Sequence, residues 1–168
     1  MSVNFDRDSS LGKHLATWWQ ELAQRPGERA ELRRAGSIAE VVMTPAFQRL
    51  CSRFSGHFGD EVGWEDRFAA IVGLLAHVRT GSEKPLAEQM AGNPPAVSEL
   101  RFRRLLQRNR SDLYVAMIRI VRMLKYKANI FDLAQSVYYW GDSVKKEWAY
   151  RYFPKTPAIN KIKKGETP

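Results

Sequence analysis

The 168-residue sequence has one cysteine, Cys51, and only three histidines, His14, His57 and His77. A single cysteine forbids an intrachain disulfide, and its setting between Leu50 and Phe54 in a helical pattern suits a small core residue. No apolar run approaches the roughly 20 residues that a membrane span needs. The first ten residues lead into no hydrophobic stretch that could act as a signal peptide, so a reducing cytoplasm is the expected compartment. Glycine-rich phosphate loops are missing, as is any histidine with a second histidine or cysteine at i+3 or i+4. The acids of the C-terminal part are few and dispersed, and Asp112, Asp132 and Asp142 each fall at an expected helix start, where capping is the default role. Neither the clustered carboxylates of a metal-dependent nuclease nor any other catalytic constellation is visible. The expectation is a non-enzyme with no cofactor and no bound metal.

Basic charge is abundant and unevenly placed. Residues 1–95 carry 11 Lys and Arg against 12 Asp and Glu, a net of −1. Residues 96–168 carry 16 against 6, a net of +10, so the whole excess of +9 lies in the C-terminal part. This asymmetry points to a polyanion, either nucleic acid or an acidic membrane surface, although a basic face can also be merely solvated.

The apolar pattern is helical throughout, and alternating strand segments are not seen. Helices are expected at about 10–24 (capped by Ser10 and ended by Pro26-Gly27), 28–35, 45–54 (capped by Thr44 with Pro45 at its first position), 64–80 and 84–91. Gly92-Asn93-Pro94-Pro95 then punctuates the chain where the charge changes. Further helices follow at 98–109, at 111–127 with Ser111 or Asp112 as cap, at 129–139 and at 142–153, the last two parted by Gly141. The fold class is therefore all-α, two packed helical bundles with no sheet: 1–95 near-neutral, 96–153 basic, and 154–168 a flexible basic tail.

Helical phase gathers the arginines. Arg101, Arg104 and Arg108 fall within about 60° of one another, beside an apolar stripe of Phe102, Leu105 and Leu106. On the next helix Leu113, Met117, Ile120, Val121 and Leu124 form the core stripe, and Arg119 and Arg122 lie about 180° from it. Arg110 sits in the link, so a hairpin would merge both rows into one strip. Lys125 completes the candidate set. Arginine suits such a strip because its planar fork meets phosphate oxygens in pairs and stacks on bases. Tyr114, Tyr126, Tyr138 and Tyr139 lie in the same region, as stacking surfaces or, for most of them, as packing. Val115 and Ile118 fall on the polar side of their helix and suggest a protein partner.

Four stretches resemble the small (CasB-type) subunit of the type I-E CRISPR Cascade complex. The first runs from Leu15 through Trp18, Trp19 and Leu22, followed by Leu32, Arg33, Arg34 and Ala35. The second is Pro45, Ala46, Phe47, Gln48, Arg49 and Leu50. The third begins at Glu99 and Leu100, continues through Arg101, Phe102, Arg103, Arg104, Leu105 and Leu106, and reaches Arg110, Ser111 and Asp112. The fourth is Tyr139, Trp140 and Gly141, then Trp148, Tyr152 and Phe153. The resemblance spans about residues 11 to 153.

It implies an all-helical, non-catalytic protein that packs as two copies along a crRNA-guided complex. There it would touch the backbone and large subunits and steady the target and displaced DNA strands. It places Arg101, Arg104, Arg108, Arg110, Arg119 and Arg122 on the nucleic-acid side, with Arg33 and Arg34 matching a basic pair in the N-terminal bundle. Two other readings stay open. A free-standing helical DNA-binding regulator would need a recognition helix rich in base-reading side chains, yet 98–109 offers mostly arginine, with Gln107 and Asn109 its amides. A membrane-surface protein would need a wide apolar helix face with nothing else to cover it.

Overall fold

A computed structural model describes residues 3–157. The described residues fold into ten α-helices: α1 (Ser10–Leu22), α2 (Pro26–Arg34), α3 (Ile38–Val42), α4 (Pro45–Phe54), α5 (Trp64–Leu75), α6 (Leu86–Met90), α7 (Glu99–Leu106), α8 (Arg110–Met123), α9 (Ile130–Tyr138) and α10 (Asp142–Tyr152). Their starts follow capping chemistry. Ser9, Ser37, Thr44, Ser98 and Asn109 each accept a backbone N–H of the first turn through the side chain, and Asn129 accepts two. Pro26 opens α2 rather than closing α1, since a proline at the first helical position lacks only a donor that would be idle anyway.

The expectation of no sheet is corrected: β1 (Thr80–Gly81) pairs in parallel with β2 (Lys127–Ala128). The pair forms because α5 stops at Leu75 and α8 at Met123, earlier than their apolar patterns suggest. Lys125 and Tyr126 take positive φ (59° and 63°), which turns the chain back so that the Tyr126 carbonyl accepts Arg79 N–H at 2.8 Å.

One continuous apolar core runs from Val3 to Tyr152 and crosses residue 95. Helix α5 is its centre, buried at every position from Phe68 to Leu75, and it packs against α3, α8 and α9. Gly73 permits this: a Cβ there would collide with the Tyr114 hydroxyl and lie 2.8 Å from Val41. Tyr114 reaches across α5 to donate to the Ala35 carbonyl at 2.9 Å, tying α8 to the N-terminal helices. Phe102 of α7 stacks on Tyr152 of α10, with ring centroids 3.9 Å apart.

The first residues of the expected tail at 154–168 pack on the fold. A 3-10 turn spans Phe153–Lys155, Lys155 pairs with Glu88 at 2.7 Å, and the buried Thr156 hydroxyl accepts Gly92 N–H at 3.0 Å. Residues 158–168 of that tail lie outside the described residues.

Candidate nucleic-acid interface

Helix α7 buries Phe102 and Leu105 and leaves Arg101 and Arg104 in solvent one turn apart. Helix α8 buries Leu113, Tyr114, Met117, Ile120 and Val121, which leaves Arg119 outward. The two helices enclose a groove of about 410 Å³. Arg101, Arg104, Arg108 and Arg119 line it, with Leu100, Val115 and Met123 as apolar lining. Leu100 and Val115 are 56% and 44% exposed, so the groove has uncovered apolar surface among its guanidiniums.

None of these four arginines is in an ion pair among the described residues. Those ion pairs use Arg7, Arg25, Arg53, Arg67, Arg151 and Lys155 instead. Arg108 lies past the end of α7, half-buried, where its carbonyl accepts Trp140 Nε1–H at 2.8 Å. Its Nε is buried with no partner among the described residues. A buried charged donor left unmatched is costly.

The remaining candidates are placed differently. Arg110 opens α8 rather than sitting in a link, and it faces inward: Nε donates to the Val137 carbonyl at 2.8 Å and an Nη to the Tyr138 carbonyl at 2.9 Å. Burial, then the charge of Arg67, lowers its pKa. Arg110 therefore clamps the α9–α10 turn, where the sequence suggested an open phosphate contact. Arg122 is exposed but leaves the groove for the α2 side, where its charge, with those of Arg33 and Arg29, acts on His77. Arg33, Arg34 and Lys125 are exposed outside the groove. Arg29, Arg79 and His77, absent from the sequence-based set, share the surroundings of Arg33 and Arg122.

Tyr114 and Tyr138 are fully buried, and Tyr139 spends its hydroxyl on the Val3 carbonyl at 2.6 Å, so three of the four tyrosines are packing residues. Cys51 is half-buried, and burial raises its thiol pKa to about 11, which keeps it protonated. His14 and His57 meet, with ring centroids 4.9 Å apart, although 43 positions separate them. No group of three or more His, Cys, Asp or Glu able to hold a metal occurs among the described residues. No helix among them is long and apolar enough to cross a membrane.

The fold and groove define a helical protein with an arginine-lined cleft between two adjacent helices. Residues 28–153 match the family model of the CRISPR-associated protein Cse2, and the chain belongs to that family, the small (CasB-type) subunit of type I-E Cascade. In fold it is similar to a chain of the crystal structure of E. coli Cascade bound to a PAM-containing dsDNA target, with 19% identity and a TM-score of 0.63 over 77% of this chain and 87% of that one. No curated protein matches the chain.

Proposed function

We propose that this small subunit holds nucleic-acid backbone, without reading sequence, inside an RNA-guided surveillance complex. It does no catalysis there. Bound beside the backbone and large subunits, with a second copy of itself, it steadies the target DNA and the displaced strand in antiviral defence. The observation that carries this reading is the α7–α8 groove, where four guanidiniums gather without a carboxylate among the described ion pairs. Such an array neutralises phosphates and carries little base information, since base edges are told apart by amide and paired donor–acceptor contacts. Sequence choice falls to the guide RNA by pairing. The similar Cascade chain comes from a complex holding double-stranded target DNA, which agrees with this role. Arg110 belongs to the fold rather than to the interface, while Arg34 and Lys125 are peripheral contacts. Affinity purification of the tagged chain from its own host tests the reading. Recovery of a crRNA with several larger protein subunits is expected. Recovery of the chain alone, free of RNA, would overturn it.

A further inference from the structure

A second cluster of arginines lies on the α2 side of α8, around a histidine. Arg29 donates from Nε to the Ala76 carbonyl at 3.1 Å and from an Nη to the Val78 carbonyl at 3.4 Å, so it brackets His77 from both sides. Trp19 Nε1–H donates to the same Val78 carbonyl at 3.0 Å and holds the segment in place. Arg33 stands one turn further along α2. Arg79, two residues past His77, lays its guanidinium 4.9 Å from the centre of the Tyr126 ring. Tyr126 N–H donates to the Val121 carbonyl at 2.9 Å, which fastens this turn to the end of α8 beside Arg122. Three separate parts of the chain thus converge on one imidazole.

That imidazole is incomplete. His77 is 9% exposed, and its Nε2 is buried with no partner among the described residues. Burial first, then the charges of Arg33, Arg122 and Arg29, lower its pKa to about 4, so it is neutral at physiological pH. In that state one ring nitrogen carries a proton to donate. Arg29 feels the same crowding: burial, then Arg79 and Arg33, lower its pKa. None of the four arginines is in an ion pair among the described residues. Gathering like charges and leaving a buried ring nitrogen unmatched both cost stability. A single tetrahedral oxyanion removes both costs, because it offers several acceptor oxygens to planar guanidinium forks and one to a neutral N–H.

We infer that Arg33, Arg79, Arg122 and the Nε2 of His77 form a phosphate-binding subsite, with Arg29 as the brace that positions it. The group bound is a phosphodiester of a nucleic-acid strand or a free phosphate. The backbone-holding role proposed above bears only on which of these sources fills the site. A carboxylate is the poorer fit, because its two oxygens lie in one plane, whereas the oxygens of a tetrahedral phosphate group point toward donors on different sides.

The test follows the ring nitrogens of the three histidines by nitrogen-15 correlation spectroscopy in the full chain at constant pH and ionic strength. Inorganic phosphate, replacing chloride, should move the His77 signal saturably and leave His14 and His57 in place. Arg33→Gln and Arg122→Gln, both at exposed positions, should each weaken the phosphate response about tenfold, the factor of one charge-assisted hydrogen bond. A short oligothymidylate that reproduces the shift identifies the strand as the source, and a shift with inorganic phosphate alone identifies the free ion. No saturable shift with phosphate, or an equal shift with an acidic peptide, overturns the subsite. Arg104→Glu with Arg119→Glu in the groove should leave the His77 response to inorganic phosphate intact, so the groove and the subsite can fail separately.

Discussion

Reversing Arg104 and Arg119 to glutamate places two negative charges in the α7–α8 groove. Both side chains are exposed and outside the described ion pairs, so each replacement should cost within about 0.5 kcal/mol of stability. Binding should respond far more. Each phosphate neutralised on a single strand contributes roughly −0.7 to the slope of log K against log salt. Losing two contacts should therefore flatten the slope by about 1.4, whatever other sites contribute. Between roughly 50 and 200 mM salt, the factor by which affinity falls should shrink about sevenfold. The variant and the parent should differ most at low salt and converge as salt rises. Fluorescence anisotropy of a labelled oligonucleotide over a salt series measures this, with circular dichroism to check the fold. Arg49→Glu is the control, being exposed, outside the described ion pairs and in the near-neutral part of the chain. An unchanged slope in the double variant would refute the groove as the backbone contact. Loss of helicity would refute the placement of these arginines as solvent-facing.

Arg110→Ala should act on stability instead of binding: it removes two charge-assisted hydrogen bonds and strips the Val137 and Tyr138 carbonyls of their donor, at about 2 to 4 kcal/mol by urea denaturation. A stable Arg110→Ala protein with a flattened salt slope would return Arg110 to the interface. His77 predicts a pH dependence. Its folded pKa of about 4 lies below the ordinary 6.5, so the unfolded chain binds the proton more readily, and the stability from a neutral His77 is complete above pH 6.5. That stability should drain away as pH falls from 6.5 through 4, by at most about 3 kcal/mol, in phosphate-free buffer. A His77→Gln variant with the same acid limb as the parent would show that other groups set it.

The sequence carried the helices whose start is a local chemical event. Thr44 with Pro45, and Ser98, cap α4 and α7 where their side chains and φ preferences require. What escaped was set at a distance. Helix α3 has five residues, too few for a 3.6-residue period to register, and only the Ser37 cap announces it. Helix α5 ends at Leu75 although Ala76 and Val78 prolong its apolar pattern, because those residues are buried in the turn that feeds β1. The parallel pair of β1 and β2 joins residues 80 and 127, a pairing with no local signature.

The same division runs through the site. Arg101, Arg104 and Arg119 could be placed from helical phase, since burial of Phe102, Leu105, Met117 and Ile120 fixes which way the helices face. Arg110 has the same charge and lies close in sequence, but its partners are carbonyls 27 and 28 positions away. The His77 cluster draws on α2, the α5–β1 link and the end of α8, so its arginines look unremarkable one at a time. Helix α8 is what relates the two basic regions. Its buried face is held by the core and by the Tyr114 bond to Ala35, and it sends Arg119 to the groove and Arg122 to the His77 cluster. Those arginines are three positions apart, about 4.5 Å along the helix axis. A strand lying across α8 would therefore meet the groove and the cluster in succession, and the continuous core beneath fixes the spacing between them. The charge boundary near residue 95 divides composition. The core that crosses it holds arginines from both sides of that boundary in a fixed relation.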